Sequence, residues 1–249
     1  MNLTNILSLN RKRMRLYFYL IILAVGIGTY SNFSFESNNL FYFFVNVIAD
    51  GWYNFFLALI LIFNALSITK EYYLNYNLLI RINNHEKTLE KEVIKSTAFL
   101  FLITNILALS SAIAFSGGNL EIITYTYNLP VYIIIIDKLL FQLLFYTIIS
   151  LIFVYYSKIY DKTKTYLLII IFAAIFLTKM FCNFENISIL KWYEFYKLFL
   201  GLFNQIIFAN IIIEIVFLSI SLLGLLSILI VLKNISKKKD IFNVKEVKK

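Results

Sequence analysis

The sequence predicts an all-α, polytopic membrane protein with six transmembrane helices and both termini on the cytoplasmic side. Three observations predict it. Of 249 residues, 61% are hydrophobic and only 15% charged, against roughly 45–50% and about 25% in ordinary soluble domains. Apolar runs of near-spanning length recur along most of the chain, and the basic residues gather in alternate connections between them. A soluble protein with a mean hydropathy of +0.79 would have to leave large apolar areas in water.

The first span, Leu16 to Tyr30, is short and follows a basic cluster flanked by aromatic residues. Such a start resembles a secretory signal, but Gly28–Thr29–Tyr30–Ser31–Asn32–Phe33 offers no clear small-residue cleavage site, so it is read as a retained span. Leu40 to Ala49, ended by Asp50–Gly51, is too short to cross; it is either an interfacial helix or an extension of the next span. The second span is Trp52 to Thr69. A cytoplasmic loop from Lys70 to Lys95 leads to the third, Ser96 to Ser116.

The outer loop from Gly117 to Lys138 ends in Pro130 and the apolar run Val131 to Ile136. Proline suits a first helical turn, so the fourth helix is expected to begin there, ahead of its span from Leu139 to Ser157. The fifth span is Thr165 to Asn183 and the sixth Ala209 to Leu232. Between them, Phe184 to Phe208 interleaves Trp192, Tyr193, Phe195 and Tyr196 with Lys191, Glu194 and Lys197, a mixture suited to the headgroup level. The tail from Lys233 is basic and polar, read as mobile or bound to anionic lipid, or simply as an anchor fixing orientation.

Helices fit better than strands. A lipid-facing barrel needs polar and apolar residues in alternation, whereas Leu167–Leu168–Ile169–Ile170–Ile171–Phe172 is apolar on every side. Orientation follows from Lys and Arg. Nineteen of the 23 basic residues fall before the first span, in the loop from Lys70 to Lys95, in the turn holding Lys158, Lys162 and Lys164, and in the tail. Six spans with both ends inside is the simplest count that keeps this alternation. The net charge of +9 is therefore read as membrane topology, with no nucleic-acid partner expected.

The residues bound the chemistry. No glycine precedes a lysine as a phosphate-binding loop requires, so any ATPase must lie on a partner chain. His85 is the only histidine and Cys182 the only cysteine, which leaves little with which to build a zinc or haem site. Asp50 and Asp137 both lie near outer span ends, a poor arrangement for an intramembrane aspartyl protease. No catalytic, cofactor-binding or metal residue is expected in this chain. Charged residues at membrane depth are costly to bury: Glu214 in the sixth span and Lys179 in the fifth either pair across neighbouring helices or snorkel to the outer headgroups. The span middles otherwise hold little that is polar beyond Asn64, Asn105, Ser150, Ser219 and Ser221, which argues against a coupled ion site and suits an amphipathic or lipid-like substrate.

Between the second and third spans the chain reads Ser67-Ile-Thr-Lys-Glu71, then Asn77-Leu-Leu-Ile-Arg81-Ile-Asn-Asn-His85-Glu-Lys87, then Glu90-Lys91-Glu92-Val-Ile-Lys95. This resembles the first cytoplasmic loop of the type-2 ABC transporter permease family: an acidic residue soon after the second span, an amphipathic segment with a basic residue, and a Lys leading into the third. Ile80–Arg81–Ile82 matches the start of the family's Ile-Arg-x-x-x-Arg-x-x-Trp pattern, while His85 stands for its second Arg and Leu89 lies near its Trp. The resemblance covers the six-span plan but only about 30 residues by pattern.

It implies a membrane subunit of an ATP-driven exporter in the bacterial plasma membrane. Such a subunit works as a homodimer or with a similar chain, beside cytoplasmic ATPases that bind ATP and magnesium. The loop would form a coupling helix, with Glu71, Tyr72, Tyr73, Tyr76, Leu79, Arg81 and His85 as its contacts to the ATPase; the same residues equally suit an amphipathic helix on the inner leaflet. Members often export antimicrobial peptides or confer immunity to them. The alternative is a non-transporting scaffold or an immunity protein that binds its target within the bilayer.

Overall fold

The computed structural model describes residues 11–32, 44, 47–48, 50–74, 85–115, 129–181 and 211–247. They form six helices and, among the described residues, no strand: α1 (Arg11–Asn32), α2 (Gly51–Leu74), α3 (His85–Phe115), α4 (Leu129–Ile159), α5 (Lys162–Phe181) and α6 (Ile211–Val247). Four stretches of these are long and apolar enough to cross a membrane, namely Trp52–Tyr72, Glu86–Ala114, Leu139–Ile159 and Ser219–Lys237. Tyr17–Tyr30 in α1 is a shorter apolar stretch. The described elements are thus all helices, and four of these stretches have the length and composition to cross a membrane.

Several helices outrun the spans read from hydropathy. The charged run from Glu86 to Lys95, expected in a loop, forms the first turns of α3. At 31 residues and about 1.5 Å per residue, α3 is far longer than the roughly 30 Å hydrocarbon core, and its excess length is the charged end. Hydropathy marks where a helix leaves lipid, not where it stops being a helix. Likewise α2 continues to Leu74, so only residues 75–84 separate α2 from α3. The tail from Lys233 is helical to Val247, its lysines lying toward the helix C-terminus, where cations are favoured. As expected from Pro130, α4 starts ahead of its apolar span, with the proline in its first turn. The loop from Phe184 to Phe208 lies outside the described residues.

The chain divides into two contact units, residues 1–60 with 101–133, and residues 61–100 with 134–249. In the first, α1 buries Tyr17, Ile21, Ala24, Val25 and Thr29, a helical stripe at spacings of four and three. Gly28 lies on this stripe: a Cβ there would stand 3.2 Å from the Tyr53 Cβ and 3.4 Å from a Val47 methyl. Phe44, Val47 and Ile48, from the apolar stretch before α2, are helical and buried. Asp50 caps α2. Its carboxylate accepts from the Tyr53 amide at 3.0 Å, and its carbonyl accepts from the Asn54 amide at 3.1 Å, which satisfies donors that a helix start leaves open. The buried Tyr53 hydroxyl donates to Asn105 Oδ1 at 3.2 Å, and the Asn105 amide donates to the Phe101 carbonyl.

In the second unit, Ala65 of α2, Leu89 and Val93 of α3, and Leu151 and Val154 of α4 form a buried cluster. Ile68, Tyr72 and Leu229 pack against it, which brings in α6. Asn64 donates to the Ser96 hydroxyl at 2.7 Å, a polar tie between α2 and α3. Only Tyr160 and Asp161 link α4 to α5. The Asp161 carbonyl accepts the Thr165 amide and so opens α5, and Phe153 meets Phe172 edge-on at 5.9 Å.

Candidate functional site

Among the described residues, charged side chains from different helices converge where the charged ends of α3, α4 and α6 meet, in the second unit. Opposite charges three residues apart, Lys87 with Glu90 and Glu92 with Lys95, the latter an ion pair at 3.9 Å, support the first turns of α3 outside an apolar run. Glu86 and Glu90 are one turn apart, so both carboxylates leave the helix on one side. Leu89 and Val93, on the buried side, hold that segment against α4.

Glu90 is the hub. Its Oε1 accepts from the Lys233 ammonium of α6 at 2.5 Å and also from the Tyr155 hydroxyl of α4. Lys158, one turn beyond, places Nζ 3.7 Å from Glu86 Oε1, an ion pair too long for a hydrogen bond. Both lysines face the Tyr155 ring, at 5.0 Å for Lys158 and 5.9 Å for Lys233, within reach of a cation–π attraction. The Lys158 side chain is 8% exposed and that of Glu90 20%. Desolvation raises the cost of losing either partner. The cluster therefore pins three helices together by charge, at their polar ends.

Several residues named from the sequence fall beside this cluster. Glu71 and Tyr72 occupy the last turn of α2, half-buried, and Tyr72 packs on the core that includes Leu89 and Val154. Tyr73 continues the same helix, and His85 opens α3. Tyr76, Leu79 and Arg81 lie outside the described residues. Lys179 belongs to α5 and Glu214 to α6; their side chains lie outside the described ones. Sequence reading missed Glu86, Glu90, Tyr155, Lys158 and Lys233 as a group. The spacing of Glu86 and Glu90 was a signal, but their partners lie on other helices.

Among the described residues, no group of three or more His, Cys, Asp or Glu side chains is placed to hold a metal ion. The chemistry on offer is charge pairing and hydrogen bonding. No protein-family model, curated protein or solved structure matches the chain.

Proposed function

We propose that this chain is the membrane-spanning permease subunit of an ATP-driven exporter of the type-2 ABC kind. It crosses the bacterial plasma membrane six times with both ends inside. ATP hydrolysis takes place on cytoplasmic partner chains, and a second permease chain completes the pathway. The substrate class is amphipathic peptides or lipid-like molecules, including antimicrobial ones.

The observation that carries this reading is the seat of Tyr72. The end of α2, where the resemblance places the coupling segment, packs on a cluster shared by α2, α3, α4 and α6. A push delivered at residues 70–84 is then felt by the whole cluster, and Glu90 passes it on to Tyr155 and Lys233. A coupling element needs that rigid mechanical connection, because interfaces and packed cores switch between discrete arrangements rather than deform continuously.

A second reading, a non-transporting immunity or scaffold protein, is favoured by α6. Its apolar stretch Ser219–Lys237 is barely covered within the chain, a face on which a target within the bilayer could rest.

The test is purification of the tagged full chain in mild detergent, with export measured in cells. An ABC-type ATPase should co-purify, and Arg81→Glu combined with Tyr76→Ala should abolish both its recovery and export. Recovery of the chain without any ATPase, together with unchanged function in the double variant, would sink the exporter reading.

A further inference from the structure

A cavity of about 440 Å³ opens at the charged ends of α2, α4 and α5, within the second unit. That volume lies in the range of roughly 300–1,000 Å³ typical of small-molecule sites. Its described lining holds three lysines, Lys70, Lys158 and Lys162, and no carboxylate. Lys158 is held by Glu86, whereas Lys70 and Lys162 are exposed and no ion pair is seen for either among the described residues. The first turn of α5 adds the partial positive charge of a helix N-terminus. The wall thus attracts an anion.

The hydroxyls that line it refine the ligand. Thr69 donates its proton to the Ala65 carbonyl, Ser157 to Val154 and Thr165 to Asp161. Each oxygen is left to accept, so these groups suit a ligand that brings its own hydroxyl donors. On the apolar side stand Leu66 and Tyr166. Tyr166 leads along α5 to Leu167, Ile170 and Ile171, a strongly exposed apolar strip on which an acyl chain can lie.

We infer that this cavity binds the headgroup of an inner-leaflet anionic phospholipid that also carries hydroxyls, phosphatidylglycerol being the simplest such lipid. The phosphate sits among the lysine ammoniums, the headgroup hydroxyls donate to Thr69, Ser157 and Thr165, and an acyl chain follows α5. Basic pockets between transmembrane helices on the cytoplasmic side are the usual setting for such headgroups. The inference needs the membrane orientation but not the ATPase, so it stands or falls separately from the exporter reading.

The experiment uses the full chain in nanodiscs of phosphatidylcholine alone or with phosphatidylglycerol, reading melting temperature and, after transfer to detergent, lipid retained by native mass spectrometry. Phosphatidylglycerol should be retained at least tenfold over phosphatidylcholine and should raise the melting temperature. Lys70→Gln with Lys162→Gln should erase both effects while melting like the unmodified chain in phosphatidylcholine. Lys87→Gln with Lys237→Gln removes the same charge elsewhere and should leave both effects intact. Equal retention of the two lipids by the unmodified chain overturns the inference, whatever the variants do. So does equal loss in the control pair, which would mean general charge attraction. Full protection by inorganic phosphate without lipid would make the site one for free phosphate and overturn the lipid assignment.

Discussion

Glu90 accepts two hydrogen bonds on one oxygen, from an ammonium and from a phenol, each on a different helix. Bonds to charged groups contribute about 1.5–3 kcal/mol each. Glu90→Gln should therefore lower the stability of the detergent-solubilised protein by that order, seen as a lower melting temperature. Lys233→Gln should cost a similar amount, and the double substitution should cost clearly less than the sum, because the two residues share one interaction. Full additivity would mean that the pair does not form in solution. None of this was legible in the sequence. Tyr155 and Lys233 stand 65 and 143 positions from Glu90, and no local pattern links residues so far apart. Lys233 was visible only as one more charge in a basic tail. By contrast, the break in the apolar run at Asp50–Gly51 was legible and coincides with the start of α2, although Asp50's role as its cap comes from the structure.

At the scale of the element, helix identity was read correctly and helix ends were not. Apolar runs identify what must avoid water: α1, α2 and α4 contain the whole run that predicted them, and α3, α5 and α6 contain most of theirs. The ends depend on forces hydropathy does not register. At α3 these are opposite charges three residues apart, such as Glu92 and Lys95, and the packing of Leu89 and Val93; at α6 they are lysines placed favourably in the helix dipole. The start of α2 illustrates a force that is local and measurable. Asp50→Ala removes the acceptor of the Tyr53 amide and should destabilise the protein by about 0.5–2 kcal/mol, with Asp50→Asn recovering most of the loss. A thermal melt of the three proteins decides it; equal melting of Ala and wild type would show that the cap adds nothing.

For the whole molecule, the prediction concerns sidedness. Within the second unit the end of α2, the start of α3, the end of α4, the start of α5 and the lysines of α6 lie at one end, joined by Glu86–Lys158, Glu90–Lys233 and the cavity between α2, α4 and α5. On the six-span reading proposed above, the rule that basic residues stay inside would put this end in the cytoplasm. With Cys182 replaced, Lys87→Cys, Lys162→Cys and Lys237→Cys should all react with a membrane-impermeant maleimide in inside-out vesicles and none in right-side-out ones. Labelling of any one from the outside would break the six-span plan. The alternation of basic and non-basic connections is what predicts this sidedness, since it depends on counts and positions alone.

The two-residue link between α4 and α5 has a consequence for how the protein is made. Two residues reach at most about 7 Å, far less than the roughly 30 Å of hydrocarbon. On the six-span plan proposed above, the start of α5 then stays on the face where α4 ended, and the two helices enter the bilayer as one hairpin during synthesis. Lys158, Lys162 and Lys164 flank the bend, and in the proposed orientation they hold it on the side where the ribosome sits. On that plan a chain whose α4 had entered backwards could not be rescued by α5, which the short turn ties to the same face.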